Sequence, residues 1–587
     1  MRIDTDLLPR FGAMIVALTL LGCALPGGGS GPPDNMPAPA TGEAMVSAAN
    51  PLAVEAALEI LREGGSAVDA AIAAEMVLGL VEPQSSGIGG GGFMLHYDAR
   101  SEDISGYDGR EWAPAGATPN MFLDARGRPM PFRDAQTSGR AIGTPLLVAM
   151  LKLAHDDHGR LPWARLFAPA ERLATEGFVI SPRLARLIAG AAEHGRLRAD
   201  FGTRGYFFDR EGNPLPAGAT LRNQQYAATM RAIAEQGPRA LTEGPIAEGI
   251  VTAVQRGPRG GTMTLADLQT AQARRFEPVC GAFRVYRVCT TAAPASGSAV
   301  LAILGLYQRA RPAPEGAGSV DDWAAFLWAS RLAYADRDHY VADDQFVQVP
   351  TQELFAPAYL DQRASLINLA SAPTFVSAGQ PAGQELYDRW GRDDGPENGT
   401  THLVVVDGWG NAVSLTATVE SAFGAQRMTN GFLLNNQLTD FSFEPSLNGR
   451  PVANAVAPNK RPRSSMVPTI VTRRNGELEL VVGSPGGSAI IGYTARTTIG
   501  ILDWGLPVQE AINLSNATAR SSPANVEAAR LPAGIMDGLR QRGWDLRDVS
   551  GLEESGIHAI RSTSRGLEGG ADPRREGVVG RIPAPAR

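Results

Sequence analysis

Two long apolar runs separated by a short turn constrain the fold most. Residues 401–406 (THLVVV) and 412–419 (AVSLTATV) carry no acidic or basic charge except a histidine, and Gly408-Trp409-Gly410-Asn411 lies near the turn between them. Such runs joined by glycine and asparagine predict a β-hairpin. A second pair, residues 468–474 and 477–483, is joined by Asn475-Gly476, a strong hairpin signal. We therefore expect buried strands in this half of the chain.

Helical patterns surround these strands. Asn50-Pro51 supplies an N-cap and a first-turn proline for a helix that ends at Gly64-Gly65. The next run, residues 66–80 (SAVDAAIAAEMVLGL), is apolar nearly all round, which predicts a buried helix. Residues 140–370 are mostly helical in pattern, and helices return over 489–515. This order of helices, strands and helices predicts a layered α+β fold.

A polar, acidic segment precedes the first hairpin. Residues 377–399 (SAGQPAGQELYDRWGRDDGPENG) are rich in turn-forming residues and predict an exposed loop. Elsewhere the composition is globular, with 44% hydrophobic residues and a formal net charge of −7. The basic residues are nearly all arginines, and they are scattered and outnumbered by acidic residues, 54 to 61. This charge distribution argues against nucleic-acid binding.

The first 23 residues have the pattern of a signal peptide. Phe11–Leu21 is an uncharged apolar run, too short to span a bilayer. Residues 20–23 (LLGC) resemble a bacterial lipobox, in which Cys23 would be lipidated; an ordinary secretory signal is the alternative. Residues 24–41 are rich in glycine, proline and serine, as a flexible tether is. We expect an exported, periplasmic lipoprotein.

Two further cysteines lie close together in the sequence. Cys280 and Cys289 fall in residues 274–291 (RRFEPVCGAFRVYRVCTT), which alternate like two strands joined near Gly281. In an exported protein a local disulfide is one interpretation, and two buried free thiols are the other.

Two motifs resemble ligand-binding sites but lack the surrounding elements or residues that such sites require. Residues 87–92 (GIGGGG) fit the dinucleotide pattern, but they follow a helix and precede a strand, the reverse of the required order. They predict a tight turn with close backbone approach. Residues 155–158 (HDDH) end an amphipathic helix with no further His or Cys cluster nearby, so we interpret them as a solvated helix end.

The segment Asn398-Gly399-Thr400-Thr401-His402 joins the polar loop to the first strand. A threonine hydroxyl inside a chain is a poor nucleophile. Cleavage of the Gly399–Thr400 bond would give Thr400 a free α-amine beside its own hydroxyl. Since α-amino groups titrate near pH 7.7–8.0, a useful fraction is neutral and can activate the hydroxyl as a general base. Taken alone, these residues also fit an ordinary strand start.

Seven blocks in the chain resemble the γ-glutamyltransferase (γ-glutamyltranspeptidase) family, over about residues 42–580. These blocks are AANPLAVEAALEILREGGSAVDAAIAAEMVLGLVEPQSSGIGGGGFML (48–95), DGREWAP (108–114), NGTTHLVVVDGWGNAVSLTATVESAFG (398–424), GFLLNNQLTDFS (431–442), NKRPRSSMVPTIV (459–471), GSPGGS (483–488) and ADPRREG (571–577). Their number and order make the resemblance specific.

The resemblance implies a fold and a processing event. The family has the four-layer αββα sandwich of N-terminal-nucleophile hydrolases, formed jointly by two subunits that stay associated as a heterodimer. Its precursor cleaves itself before the nucleophilic threonine, which here is between Gly399 and Thr400. The large subunit would then be residues 42–399 and the small subunit residues 400–587.

The resemblance also implies roles for individual residues. Four would do the chemistry: the nucleophile Thr400, its supporting Thr418, and the oxyanion-binding pair Gly486 and Gly487. Six would hold the substrate, three at its α-carboxylate (Arg110, Ser464, Ser465) and three at its α-ammonium (Asp440, Gln437, Glu420). An arginine fork suits a planar carboxylate, and backbone N–H groups of glycines suit a developing oxyanion.

The implied reaction cleaves the γ-glutamyl amide of glutathione and related compounds and passes the acyl group to water or to an amino acid. It needs no metal or organic cofactor. The sequence departs from the family at Glu420, where many members have asparagine, and at residues 441–454, which lack the tyrosine-bearing lid of many bacterial members. The departures predict a more open pocket and leave the preference for glutathione open.

Two alternatives remain at this point. A related acylase that removes glutaryl-type groups from β-lactam nuclei would share Thr400 and the oxyanion glycines, but a glutaryl group has no ammonium for Asp440 and Gln437 to bind. An uncleaved, inactive binding lipoprotein would instead remain a single chain.

Overall fold

The computed structural model describes residues 42–193, 197–257, 259–384, 399–551 and 555–584. The expectations for the signal peptide and tether therefore lie outside the described residues, as does most of the polar loop before Gly399. The strands are β1 (Ala44–Ala48), β2 (Gly91–Tyr97), β3 (Ile104–Asp108), β4 (Phe178–Val179), β5 (Thr220–Leu221), β6 (Arg274–Phe276), β7 (Val279–Phe283), β8 (Tyr286–Thr290), β9 (Gly399–Val406), β10 (Ala412–Glu420), β11 (Met428–Thr429), β12 (Phe432–Leu433), β13 (Ser446–Leu447), β14 (Arg450–Pro451), β15 (Thr469–Thr472), β16 (Leu478–Gly483), β17 (Ala517–Thr518), β18 (Ala524–Val526), β19 (Leu546–Asp548), β20 (His558–Thr563), β21 (Gly566–Ala571) and β22 (Val578–Ile582).

The α-helices in the same residues are α1 (Pro51–Arg62), α2 (Ala67–Val81), α3 (Phe132–Gln136), α4 (Leu147–His158), α5 (Ala168–Glu176), α6 (Pro182–Glu193), α7 (Phe201–Phe207), α8 (Gln224–Gln236), α9 (Gly244–Gln255), α10 (Leu265–Thr270), α11 (Gly297–Ala310), α12 (Val320–Tyr340), α13 (Pro357–Ala364), α14 (Ile490–Leu502), α15 (Val508–Asn513) and α16 (Ile535–Gln541). Ten of them, α4 to α13, fall in residues 140–370, the stretch that the sequence predicts to be mostly helical.

Two antiparallel sheets form the centre of the fold. The first has the strand order β22-β1-β9-β10-β2-β3-β6, and the second has the order β21-β20-β16-β15-β8-β7. Apolar side chains of both sheets pack against one another, among them Tyr97 and Val404 from the first sheet and Ile470, Val481 and Ile560 from the second. Removing these faces from water stabilises the pair of sheets.

Helices cover the outer face of each sheet. Side chains of α1, α2, α4, α5 and α8 share a core with the first sheet, and those of α11, α12, α14 and α15 share a core with the second. Helix α2 is buried at every residue, as its all-round apolar pattern predicts, and Ser66 and Asp69 form its capping box. The resulting order of helix, sheet, sheet and helix confirms the αββα sandwich.

The predicted hairpins are confirmed. In the first, β9 pairs with β10 so that Thr400 lies opposite Thr418. In the second, β15 pairs with β16 around the Asn475-Gly476 turn. The glycine run beside them makes the close backbone approach that we expected, because a Cβ added to Gly90 would lie 2.0 Å from the carbonyl oxygen of Thr418. The glycines thus let the loop before β2 press against the end of β10.

The cysteine hairpin differs from its prediction in the place of its turn. Cys280 in β7 and Cys289 in β8 are directly opposite each other and form a disulfide. The turn is at Arg284-Val285 rather than near Gly281, and Arg284 adopts the positive φ of 54° that a tight turn requires. Gly281 instead lies within β7, so the glycine in this pattern marks a strand position.

The HDDH motif ends α4, as predicted, but only Asp156 and Asp157 are exposed, and the His158 ring stacks on that of His96 with the ring centroids 3.7 Å apart. His155 contacts the carbonyl oxygen of Leu161 at 2.9 Å through Nε2. Among the described residues, no group of three or more His, Cys, Asp or Glu side chains is arranged to hold a metal ion. In the same part of the chain, no helix combines the length and the apolar character needed to cross a membrane.

Candidate active site

The hydroxyls of Thr400 and Thr418 meet at one end of the central hairpin. Their Oγ1 atoms are 3.0 Å apart, and both residues are buried. The Thr418 hydroxyl donates to the carbonyl oxygen of Gly399 at 2.9 Å and accepts from the backbone N–H of Glu420 at 2.8 Å. Because a hydroxyl has one proton to donate, the remaining lone pair of Thr418 accepts from Thr400. Thr418 therefore orients the Thr400 hydroxyl and polarises the preceding carbonyl group.

A small pocket opens beside Thr400. Nine of the ten residues that the resemblance selects line it, and Gly486 directly precedes Gly487 in the chain. The side chains of Met466 and Ile490 add an apolar part that the sequence did not indicate. The full lining is Arg110, Thr400, Thr418, Glu420, Gln437, Asp440, Ser464, Ser465, Met466, Gly487 and Ile490.

The two glycines form the turn that leads from β16 into α14. Gly486 has a φ of 134° and Gly487 a φ of 56°, a conformation that side chains disfavour. The turn lies at the N-terminal end of a 13-residue helix, where backbone N–H groups and the helix dipole favour negative charge. Tyr334 of α12 donates its hydroxyl proton to the carbonyl oxygen of Ser488 and so holds this turn from the other side.

Arg110 and Asp440 form an ion pair in the pocket. Arg110 follows β3 and is almost fully buried, and Asp440 ends a 3-10 turn, Gln437–Asp440. Arg110 also donates from Nε to the carbonyl oxygen of Pro462 at 3.1 Å and from Nη2 to that of Arg463 at 2.6 Å. Gln437 donates from Nε2 to Oδ2 of Asp440 at 2.8 Å. One cation and one anion are thus fixed side by side.

A second carboxyl group lies next to Arg110. Glu111 is fully buried, and its Oε2 is 3.7 Å from Nη1 of Arg110. Burial raises the pKa of Glu111 to about 8, although the neighbouring arginine opposes this change. Glu111 is therefore mostly protonated at neutral pH, and Asp440 is the carboxylate that balances Arg110.

Glu420 has a strained backbone with a φ of 81°, directly after the irregularity in β10. Its carboxylate accepts from the Ser421 hydroxyl at 2.5 Å and from the side-chain amide of Asn436. A positive φ at a residue with a long side chain costs about 1–3 kcal/mol and is concentrated at functional sites.

The two pocket serines, Ser464 and Ser465, accept hydrogen bonds from residues that precede Gly399 in the chain. Ser465 accepts a hydrogen bond from Nη2 of Arg337 at 2.6 Å. The carbonyl oxygen of Ser464 accepts from the Ser296 hydroxyl at 2.5 Å, and the Ser464 hydroxyl accepts from the backbone of Met466 at 3.1 Å. Arg337 comes from the last turn of α12, where no spacing or motif in the sequence marks it as part of a site.

The site therefore combines three chemical capacities in one cleft. It has a hydroxyl held against a second hydroxyl, a glycine turn suited to negative charge, and a fixed cation and anion 330 residues apart in sequence. Such a set can bind a zwitterionic acyl group and present its carbonyl carbon to a nucleophile.

Comparisons with known proteins agree with this site. Residues 53–582 match the family described as gamma-glutamyltranspeptidase. The chain is similar to the glutathione hydrolase proenzyme of Bacillus subtilis strain 168, with 35% identity over 549 residues, 92% of this chain and 91% of the relative. It is also similar to the glutathione hydrolase proenzyme of Escherichia coli K12, with 38% identity over 484 residues, 80% of each chain.

Among solved structures, the cephalosporin acylase from Bacillus halodurans superposes with a TM-score of 0.80 at 26% identity, over 93% of this chain and 98% of that protein. The family match at residues 53–582 holds all ten residues selected above. The chain belongs to the gamma-glutamyltranspeptidase family.

Proposed function

We propose that the protein hydrolyses or transfers γ-glutamyl groups, taking them from glutathione and related γ-glutamyl compounds. The observation that carries this proposal is the pairing of Arg110 with Asp440 in the same pocket as the Thr400 hydroxyl. A γ-glutamyl group carries both an α-carboxylate and an α-ammonium, so it matches a fixed cation beside a fixed anion. The relatives named glutathione hydrolase support the same conclusion.

The active form arises by self-cleavage between Gly399 and Thr400. The Thr400 Oγ attacks the Gly399 carbonyl carbon, whose oxygen accepts the Thr418 hydrogen bond. As this C–O bond forms, the Gly399–Thr400 C–N bond breaks and its nitrogen takes the hydroxyl proton, which frees the Thr400 α-amine. Water then hydrolyses the ester and divides the chain into residues 42–399 and 400–587. The central sheet takes β1, β2, β3 and β6 from the first part and β9, β10 and β22 from the second, so the two subunits share one sheet.

Turnover then uses Thr400 as its own base. The α-amine takes the Oγ proton while Oγ bonds to the γ-carbonyl carbon of the substrate. The oxyanion lies at the Gly486-Gly487 turn, where each N–H donor can stabilise the transition state by about 3–4 kcal/mol. The amide C–N bond breaks as the leaving amine takes the proton. Water or the amine of an amino acid next attacks the ester and releases Thr400.

Substrate recognition follows from the charges on either side of the nucleophile. Arg110, Ser464 and Ser465 bind the α-carboxylate, and Asp440, Gln437 and Glu420 bind the α-ammonium. None of these steps calls on a metal ion or an organic cofactor.

Acylase activity is the second candidate, because the cephalosporin acylase from Bacillus halodurans matches nearly the whole chain. A glutaryl group would leave the charge of Asp440 without an ammonium partner, which costs binding energy. Turnover of γ-glutamyl-p-nitroanilide and glutaryl-p-nitroanilide by one preparation decides between the two. Faster glutaryl turnover would reject the first proposal.

Thr400→Ala tests the mechanism itself. We expect this variant to remain a single chain and to turn over neither anilide. Thr400→Ser should still cleave itself and still turn over substrate, each at a reduced rate. Two subunits in the alanine variant would disprove self-cleavage by Thr400. A wild-type protein that stays uncleaved and inert would instead support the binding lipoprotein.

We also propose that the protein is exported and anchored in the periplasm through a lipid on Cys23. The lipobox-like residues 20–23 support this, and a disulfide between Cys280 and Cys289 suits an oxidising compartment. Labelling of expressing cells with a radioactive fatty acid should mark the wild type but not Cys23→Ala. Equal labelling, or none in either, would contradict the anchor.

A further inference from the structure

The carbonyl group of Thr400 has an unusual hydrogen-bond donor. Strand β1 pairs with β9 only from Leu403 to Val406, so Thr400 lies beyond the end of that ladder. There, Nη1 of Arg575 donates to the Thr400 carbonyl oxygen at 2.7 Å. A guanidinium from the far end of the chain thus contacts the residue that carries the nucleophile.

Arg575 is itself held firmly. It lies in the connection between β21 and β22, is 6% exposed, and donates from Nε to the carbonyl oxygen of Ser555 at 2.8 Å. A Cβ added to Gly556 would lie 2.8 Å from Cδ of Arg575, so the side chain occupies a closely fitted channel. The positive charge is consequently fixed relative to Thr400.

Glu82, at the end of α2, is a buried carboxyl group that interacts with the charge of this arginine. Burial raises the pKa of Glu82, and the charges of Arg183 and Arg575 act against that rise. Arg183 contacts Oε2 of Glu82 through Nη1 at 3.4 Å. Glu82 therefore has two cationic neighbours, and only Arg575 also reaches Thr400.

We propose that Arg575 is a positioning residue that fixes Thr400 after cleavage and keeps its α-amine neutral. This inference rests on the proposed function. Once the Gly399–Thr400 bond is broken, Thr400 is tethered on one side only, and the hydrogen bond to its carbonyl limits how far it can move. The same guanidinium lies within about 6 Å of the α-amine, because it is hydrogen-bonded to the carbonyl oxygen of Thr400 and the α-amine belongs to the same residue. A nearby cation disfavours the protonated amine.

Other titratable groups also lie near Thr400 and Arg575. Arg110, Asp440 and Glu420 line the pocket with Thr400. Burial lowers the pKa of His402 in β9 well below its usual value and that of His558 in β20 to about 3, so both rings are neutral. Glu82 interacts with the charges of Arg183, Arg575 and Glu576, and His558 interacts with those of Asp572 and Arg575.

Three variants separate charge from geometry. Arg575→Met removes the charge and the donor, Arg575→Lys keeps the charge, and Arg561→Met removes a partly exposed arginine that pairs with Glu479 in the neighbouring sheet. Each is first checked for cleavage by intact mass. The pH dependence of kcat/KM for γ-glutamyl-p-nitroanilide then reports the essential base of the free enzyme.

We expect the acid limb of Arg575→Met to move to higher pH by about half a unit to one unit, since the loss of a cation favours the ammonium form. Its kcat at pH 7 should fall about tenfold with KM within about twofold, because positioning acts after binding. Arg575→Lys should restore the acid limb, and Arg561→Met should match the wild type. An unmoved limb in Arg575→Met, or the same shift in Arg575→Lys, would overturn the proposal.

A measurement without substrate keeps the proposal distinct from the proposed function. The chain has only two lysines, Lys152 and Lys460, so reductive methylation with ¹³C-formaldehyde gives few amine signals. Titration of the Thr400 signal by NMR should give a higher pKa in Arg575→Met than in the wild type, even if the wild type ignores γ-glutamyl-p-nitroanilide. If Arg575→Met does not cleave, Arg575→Gln takes its place. Equal pKa values would reject the role of Arg575.

Discussion

Asp440→Asn removes one negative charge from the pocket while keeping the shape of the side chain. In the structure Asp440 accepts from Arg110 and from Gln437, and it is the carboxylate that balances Arg110 because Glu111 is mostly protonated at neutral pH. The substitution therefore acts on the α-ammonium of a bound γ-glutamyl group and on the buried arginine. The two effects can be separated by the choice of substrate.

The magnitude follows from the hydrogen bond that is lost. A hydrogen bond to a charged group contributes about 1.5–3 kcal/mol. Since 1.4 kcal/mol corresponds to a factor of ten, we expect kcat/KM for γ-glutamyl-p-nitroanilide to fall about 10- to 150-fold. Glutaryl-p-nitroanilide lacks the ammonium, so its kcat/KM should change by less than about threefold or rise, because an unmatched carboxylate has been removed.

The assay compares both anilides at pH 7 with the wild type, Asp440→Asn and a control, Asp503→Asn. The control removes a carboxylate from the ion pair with Arg284, which lies outside the pocket. It should leave the ratio of the two substrates unchanged. Equal losses on both anilides in Asp440→Asn would refute ammonium binding and would show that Asp440 acts only by holding Arg110.

Three further predictions follow from buried groups around the site. Thr418→Val removes the hydroxyl that contacts both Thr400 and Gly399 and should slow self-cleavage at least about 100-fold. A time course on denaturing gels measures this, and Thr418→Ser should still cleave. A wild-type rate in the valine variant would contradict the prediction. Tyr334→Phe removes the hydrogen bond to Ser488 and should lower kcat about two- to tenfold with KM unchanged; an unaltered kcat would show that the turn does not need it. Burial raises the pKa of Glu75 from 4.5 to about 8, so the unfolded chain loses this proton at lower pH than the folded protein does, and stability falls as pH rises between these values. Glu75→Gln should therefore flatten the fall in Tm over this range, and parallel curves for the variant and the wild type would contradict it.

Local patterns predicted much of the centre of the fold. The β9–β10 hairpin, the Asn475-Gly476 turn, the buried α2 and the close approach of the glycine run all depend on residues near one another in sequence. The pairing of β1 with β22 was not predicted, because Ala44 and Ile582 lie at opposite ends of the chain and no local pattern joins them. Such long-range pairing depends on the packing of the whole sandwich.

The candidate site, too, was predicted only in part. The resemblance selected residues that line one pocket, but not the direct contact between Arg110 and Asp440. Arg337, Tyr334 and Arg575 were also missed, since each acts through a backbone or hydroxyl group from a distant element. A charged or aromatic residue in a helix or loop gives no sign in the sequence of the carbonyl group that it will contact.

The roles of the selected residues and the site of cleavage are predictions. The most direct measurement is the intact mass and N-terminal sequence of the purified protein, followed by a γ-glutamyl-p-nitroanilide assay on the same sample. We predict two fragments, one of which begins Thr-Thr-His, together with release of p-nitroaniline. An uncleaved chain that still releases p-nitroaniline would contradict Thr400 as the nucleophile freed by cleavage. A fragment that begins at another residue would contradict it as well.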